Sequence, residues 1–126
     1  METKNKNKTL DDITSVELPE DGIMKFILCE IEDMDKNTKI VFVGNPNYGY
    51  HADIADWYRN ATLRPNSIGC NEILGGGRVK ITEDEIFAYG YSGGYGEAPQ
   101  DEVEKVLKPY AENKKKKLTV KMGEGY

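Results

Sequence analysis

The alternation of apolar and polar residues predicts two strands at the centre of a sheet. Residues 23–31 read IMKFILCEI, and a strand that is apolar on both faces is typical of a position where other elements cover both sides. Residues 86–91 (IFAYGY) show the same pattern, and residues 39–43 (KIVFV) predict a further strand. The interior of the sheet is therefore expected to include residues 23–31 and 86–91.

Weaker patterns predict three further strands, the first of them at an edge of the sheet. Residues 11–18 (DDITSVEL) indicate a short edge strand, Val79 and Ile81 alternate with polar residues, and residues 118–122 (LTVKM) indicate a last strand. Residues 1–10 are polar and rich in lysine, which predicts a mobile tail in front of a domain of residues 11–126.

Two segments have the spacing of amphipathic helices. After residue 51, apolar residues recur at three- and four-residue intervals, at Ile54, Trp57, Tyr58 and Ala61. The second helix is expected to open at Pro99, and its buried face would carry Val103, Val106, Leu107 and Tyr110. Pro109 is expected to end or kink this helix, because proline lacks the backbone N–H that a helix interior uses.

This arrangement predicts an α+β fold with α/β-type layering. Two helices are too few to supply a crossover between every pair of strands in a parallel sheet. We therefore expect a mixed sheet of about five or six strands with two main helices packed on it, in a single domain.

Charge and length exclude several classes of function. The chain has 126 residues and a formal net charge of -5, and without a basic stripe we expect no nucleic acid partner. No apolar run approaches the roughly 20 residues that cross a bilayer, so we expect no membrane association. The start, METKNKNKTLDD, has no apolar core for secretion. These features favour a cytoplasmic protein.

The metal-binding residue types are sparse. Cys29 and Cys70 lie far apart in sequence and are interpreted as two free, buried thiols in a reducing cytosol. No Cys/His cluster predicts a zinc site, and no obvious carboxylate cage predicts magnesium. We expect no metal and no cofactor.

The stretch YGYHADIADWY, residues 48–58, is the strongest candidate for a functional site. It holds the only histidine, His51, at the expected start of a helix, where the helix dipole disfavours a positively charged imidazole. Neutral imidazole is the form that a general base needs. Because His51 precedes Ile54 by three residues, it is expected to face the sheet or a cleft over it.

Three further features have both a structural and a functional interpretation. Lys25 interrupts an apolar strand, either as a side chain that reaches water from the strand's start or as a positive charge aimed at an anion. Three glycines at 75–77 indicate either a bulge or a close approach. The loop of residues 92–96 (SGGYG) is either flexible or a nest of backbone N–H groups for an anion.

Four segments together resemble the protein histidine phosphatases, the family that includes the Janus sex-regulated proteins. They are GIMKFIL (22–28), YHADIAD (50–56), EILGGGRV (72–79) and YGYSGGYGEA (89–98). Their order and spacing match the family, and the similarity extends from about residue 12 to the C-terminal Gly-Tyr.

The resemblance implies a role for each matching residue. His51 matches the catalytic proton acceptor, Lys25 a substrate-binding lysine, and Arg78 an arginine important for activity. Phosphate would be held by the loop residues Ser92, Gly93 and Gly94, and we assign the helix N-terminus at His51 and Ala52 to assist them. In many members the positions of Gly93 and Gly94 carry small or apolar side chains, and the family is richer in cysteine near residues 70–73, where this chain has Ile73.

The resemblance also implies a reaction, the hydrolysis of the P–N bond of phosphohistidine in proteins with release of inorganic phosphate. His51 would activate water in a metal-independent, monomeric enzyme. Alternatives are a nucleophilic His51 that carries the phosphoryl group, a broader phosphoramidate hydrolase that accepts phospholysine, and a non-catalytic module that binds phosphorylated proteins. A structural adaptor would leave Lys25 and the glycine-rich loop unexplained.

Overall fold

The computed structural model describes residues 10–124 and places six strands in one sheet with a helix on each face. The helices are α1 (His51–Tyr58) and α2 (Gln100–Lys114). The strands are β1 (Val16–Glu17), β2 (Gly22–Glu32), β3 (Thr38–Gly44), β4 (Gly69–Ile81), β5 (Glu85–Gly90) and β6 (Lys117–Met122). The predicted α+β class and the mixed sheet with two helices are confirmed.

The sheet has the strand order β1-β3-β2-β4-β5-β6. Its four inner strands pair antiparallel, and the two edge strands β1 and β6 run parallel to their neighbours β3 and β5. The predicted central strands β2 and β5 are both interior, and the predicted segment 11–18 contains the short edge strand β1. The long β2–β4 pair forms the middle of the sheet.

Two apolar cores lie on opposite faces of the sheet. Phe26 and Leu28 of β2 point to the face covered by α2, whereas Ile27 and Ile31 point to the face covered by α1. Side chains alternate across a strand, so Lys25 lies on the α1 face. This alternation decides which residues of β2 reach the helix that begins at His51.

The end of α1 differs from the predicted stripe. Ala61 was expected on the buried face but is exposed, and Leu63 is buried instead. After Tyr58 the chain continues as a π-helical turn, Arg59–Leu63, and then as a short 3-10 turn, Arg64–Asn66. The wider π turn brings every fifth residue to the same face, which aligns Leu63 with Tyr58 and turns Ala61 outward.

Pro109 was expected to end or kink α2. It does not end the helix, which continues to Lys114. Val103, Leu107 and Ala111 form its buried face. Pro109 lies on the exposed side, where water can solvate the carbonyl that its missing N–H leaves unpaired.

The N-terminal tail prediction falls mostly on residues outside the described range. Leu10, assigned to the tail, is described, and it is buried at the start of a 3-10 turn, Leu10–Asp12. The folded part therefore includes Leu10. The structure describes no helix that is long and apolar enough to cross a membrane within residues 10–124.

The two cysteines are free, as predicted, but only Cys29 is buried. Cys70 is partly exposed near the start of β4, which begins at Gly69. The pairing of β2 with β4 brings these cysteines together although they are distant in sequence.

Candidate active site

The glycine triplet of β4 is the point at which the parts of the site meet. A Cβ on Gly75 would lie 2.6 Å from the backbone of Ala98, and Gly75 has a φ of +150°. A Cβ on Gly76 would lie 2.8 Å from the His51 ring and 3.1 Å from the Ser92 side chain. The close-approach interpretation of the three glycines is therefore confirmed, together with register shifts in the β2–β4 pair that mark bulges beside them.

His51 reaches Gly76 because the loop after β3 is ordered by Asn45. The buried Asn45 accepts hydrogen bonds from the amide of Asn47 at its side-chain oxygen and from the amide of Tyr48 at its carbonyl. Its own amide donates to the carbonyl of Lys25. This turn fixes the loop to β2 and delivers the chain to the start of α1.

His51 is the first residue of α1, and its side chain is only 7 % exposed. Its Nε2 lies 3.0 Å from the carbonyl oxygen of Gly77. A carbonyl only accepts, so Nε2 must carry the hydrogen, and in a neutral ring this leaves Nδ1 as the acceptor. The hydrogen bond therefore selects the tautomer and orients the ring.

The surroundings of His51 keep it neutral. Burial lowers the pKa of the imidazole below its ordinary value of 6.5. The hydrogen bond to Gly77 raises the pKa, while the positive charges of Lys25 and Arg78 lower it further. The net shift is downward, which leaves Nδ1 unprotonated at neutral pH.

Lys25 and Arg78 are directly opposite each other on β2 and β4. Directly paired residues project to the same face of a sheet, so both cations lie on the face that α1 covers. The ammonium of Lys25 lies 5.6 Å from the ring centroid of Tyr50, a cation–π distance. Of the two interpretations of Lys25, this placement favours the positive charge directed at an anion.

The loop after β5 closes on itself and is attached to β4. Ser92 and Gly96 exchange both backbone hydrogen bonds, at 3.0 and 2.8 Å, and the amide of Tyr95 donates to Ser92 Oγ at 3.1 Å. The amide of Gly76 donates to the carbonyl of Gly96 at 3.0 Å. The loop is thus held beside the glycine against which His51 packs.

This hydrogen bonding corrects the expectation that all three amides of Ser92, Gly93 and Gly94 bind phosphate. The amide of Ser92 is already bonded to Gly96. Within residues 10–124, the amides of Gly93, Gly94 and Ala52 make no hydrogen bond. Three backbone donors are therefore open, and Ser92 retains its hydroxyl hydrogen.

These groups line one cleft of about 470 Å³. Six of the seven predicted site residues line it, together with two tyrosines: Lys25, Tyr50, His51, Ala52, Ser92, Gly93, Gly94 and Tyr95. Arg78 is not part of the lining, but it is close enough to His51 to affect its pKa. The cleft combines hydrogen-bond donors, one ammonium group and one neutral imidazole, which suits a small anion.

Sequence reasoning assigned no role to Tyr50 or Tyr95. Tyr50 is 72 % exposed at the mouth of the cleft, and its position directly before His51 was the available signal. Tyr95 is partly buried against the core under α1, and only its place in the glycine-rich loop pointed to it.

Among residues 10–124, no group of three or more His, Cys, Asp or Glu side chains is arranged to hold a metal ion.

Comparison with known proteins identifies the family of this chain. The profile of the Janus/Ocnus family (Ocnus) matches residues 10–116. A sex-regulated protein janus-A of Drosophila pseudoobscura pseudoobscura is 32 % identical over 111 residues, which cover 82 % of this chain and 73 % of the relative. A 14 kDa phosphohistidine phosphatase of Sus scrofa is 33 % identical over 97 residues, which cover 71 % of this chain and 75 % of the relative. The protein belongs to the Janus/Ocnus family.

Proposed function

We propose that the protein is a phosphohistidine phosphatase that hydrolyses the P–N bond with His51 as general base. The observation that carries the proposal is the hydrogen bond from His51 Nε2 to Gly77, which leaves Nδ1 as the proton acceptor in the cleft. The phosphatase of Sus scrofa, one of the relatives, supports the substrate class.

The phosphoryl group would be bound mainly by backbone N–H groups. The open amides of Gly93, Gly94 and Ala52 would donate to its oxygens, and Ser92 Oγ would add a hydroxyl donor. Lys25 would supply a full positive charge, which gives a charge-assisted hydrogen bond. Arg78, opposite Lys25 on the neighbouring strand, would stabilise the same negative charge from outside the lining.

In the reaction, water attacks phosphorus while the bond from phosphorus to the imidazole nitrogen breaks. The leaving imidazole keeps the bonding electron pair and takes up a proton, and the water loses a proton to Nδ1 of His51. Placing these groups in line and stabilising the developing charge are the main tasks of such a site. No step in this scheme uses a metal ion.

The decisive experiment measures release of inorganic phosphate from a phosphohistidine peptide in the presence of a chelator. We expect turnover by the wild-type protein and nearly complete loss in His51→Ala, with an unchanged circular dichroism spectrum. Wild-type turnover by His51→Ala would exclude the proposed base. Binding of the peptide without phosphate release would instead favour the non-catalytic module.

Rapid quench with labelled substrate separates the base from a nucleophile. If His51 carries the phosphoryl group, phosphorylated His51 accumulates at a rate at least equal to turnover. If His51 is a base, label passes directly from substrate to inorganic phosphate. Phospholysine peptides measured in the same way determine whether the site is a broader phosphoramidate hydrolase.

A further inference from the structure

Cys29 and Cys70 form a second cluster on the face of the sheet that α1 covers. Cys70 pairs with Ile31, and Cys29, two residues before Ile31 on β2, points to the same face. Both cysteines belong to the apolar cluster under α1, and each affects the pKa of the other. Two unbonded cysteines are thus diagonal neighbours on the same face of adjacent strands.

The two sulfurs have different surroundings. Cys29 is fully buried, whereas Cys70 is partly exposed and lies near the Arg59 side chain. The neighbouring Cys29 lowers the pKa of Cys70 and the charge of Arg59 lowers it further, while Cys70 and burial raise the pKa of Cys29. Cys70 is therefore the thiolate of the pair and the one that solvent reaches.

The hydroxyl of Tyr58 is a third polar group near the two thiols. It is buried and has no partner within the described residues. Burial raises the pKa of this hydroxyl most, and both thiols raise it further, so it lies within electrostatic reach of them. A buried hydroxyl without a partner is costly, and an oxygen atom bound at Cys70 would give it an acceptor.

We propose that Cys70 and Cys29 are a hydroperoxide-reactive pair that forms an intramolecular disulfide between β2 and β4. In the first step the Cys70 thiolate attacks a peroxide oxygen, the O–O bond breaks, and Cys70 becomes a sulfenic acid with release of water or an alcohol. In the second step the sulfur of Cys29 attacks that of Cys70 and water leaves. The two thiols lose two electrons, and the hydroperoxide gains them.

The order of the steps follows from the charges. While Cys70 is a thiolate, its negative charge opposes ionisation of Cys29. Conversion of Cys70 to a neutral sulfenic acid removes that charge, so Cys29 becomes the more reactive partner only after the first step. The bulges of β4, which follow from the register shifts beside Cys29 and Ile31, lie where the backbone would adjust to disulfide geometry.

The pair shares no residue with the lining of the His51 cleft. The proposal therefore stands apart from the phosphatase and is tested without any activity assay.

The test treats the reduced, folded protein with excess hydrogen peroxide, removes the peroxide, unfolds the protein in urea, blocks remaining thiols with N-ethylmaleimide and measures the intact mass. We expect a monomeric product that has lost two hydrogens and takes up no label. After trypsin, a disulfide should join the peptides of residues 26–36 and 60–78. Two labelled thiols after a treatment that fully oxidises glutathione would overturn the proposal.

Variants test the order of the steps. In Cys29→Ala a sulfenic acid at Cys70 should be trapped by dimedone, and in Cys70→Ser the buried Cys29 should stay reduced. Arg59→Gln should slow the first step several-fold, whereas Arg64→Gln, a matched arginine that hydrogen-bonds Asn60, should not. Equal rates in the two arginine variants, or oxidation of Cys29 in the absence of Cys70, would contradict the mechanism.

Discussion

The Nε2 atom of His51 donates its hydrogen to the carbonyl oxygen of Gly77 across 3.0 Å. Gly76, one residue earlier, lies against the same ring because it has no side chain. The histidine of α1 is therefore held by the backbone of β4, and its tautomer depends on two successive glycines. Most of what we expect of the site follows from this contact.

Gly76→Ala should displace the His51 ring, although Gly76 itself is not among the residues that line the cleft. The added Cβ would lie 2.7 Å from the carbonyl oxygen of Phe26 and 2.8 Å from the His51 ring. Overpacking of this kind costs about 1–3 kcal/mol in stability, measurable by urea unfolding. A shift of the base by about 1 Å should lower kcat/KM roughly 100-fold.

Gly69→Ala is the matched control, because Gly69 is on the same strand as Gly76 but outside the cleft lining. A Cβ on Gly69 meets no atom within 4 Å and the residue has no positive φ, so stability and kcat/KM should stay close to wild type. A large loss in Gly69→Ala, or none in Gly76→Ala, would contradict the role given to the contact between Gly76 and His51.

The pH dependence of activity should have an acid limb below pH 6.5. His51 has a pKa lowered from its model-compound value of 6.5, so its base form persists below that pH and activity falls only as the folded pKa is passed. His51 is the only histidine, and its imidazole proton signals in an NMR titration report that pKa directly. An acid limb above pH 6.5, or one that does not match the NMR titration, would exclude His51 as the essential base.

The lowered pKa of His51 also makes the stability of the protein depend on pH in a predictable direction. Near pH 6 the unfolded state binds more protons than the folded state, so the free energy of unfolding decreases as the pH falls through 6.5 toward the folded pKa. His51→Ala should remove this component from the pH dependence of urea unfolding.

Lys25→Met should have two separable effects. Loss of a charge-assisted bond should weaken phosphate binding by roughly 1–3 kcal/mol. Removal of a positive charge near His51 should also raise the pKa of the imidazole, because Lys25 lowers it in the wild type. Lys80→Met, an exposed lysine on the same face of β4, should change neither quantity; equal effects in both variants would show a general charge effect.

Much of the fold followed from periodicity because local patterns and tertiary structure agree in this chain. β2 is apolar on both faces, and it is interior with a core on each side. Residue spacing could not show that α1 continues as a π turn. Whether Ala61 or Leu63 is the buried residue depends on packing against the sheet. Spacing also could not show that Pro109 is tolerated, since that depends on which face of α2 is exposed.

The candidate site was predictable as a set of residues but not as a hydrogen-bond network. The position of His51 in its helix predicted a neutral imidazole that faces inward. The residue pattern also marked Lys25 and the glycine-rich loop as candidates, and the resemblance added Arg78. No local pattern shows that the amide of Ser92 donates to the carbonyl of Gly96, or that Cys29 and Cys70 lie on adjacent strands. Both follow from pairings between residues that the fold alone brings together.

Pro109→Ala should stabilise the protein. Pro109 is inside α2 on its exposed side, and alanine would restore an N–H donor for the carbonyl of Lys105. Proline in a helix interior costs about 3 kcal/mol relative to alanine, and because this helix already accommodates it, we expect a gain of about 1–3 kcal/mol in urea unfolding. Lys108→Ala should change stability by less than about 0.5 kcal/mol, and a loss of stability in Pro109→Ala would contradict this interpretation.

Phosphate titration followed by amide NMR should separate the open donors from the occupied one. The amides of Ala52, Gly93 and Gly94 have no acceptor within the described chain, so their proton signals should move downfield as they bond to phosphate. The amide of Ser92 donates to Gly96 at 3.0 Å, so it should exchange slowly with solvent already in the free protein and shift less. If Ser92 responded as strongly as Gly93 and Gly94, the loop would have to open on binding, and the preformed cleft would no longer explain how the anion is held.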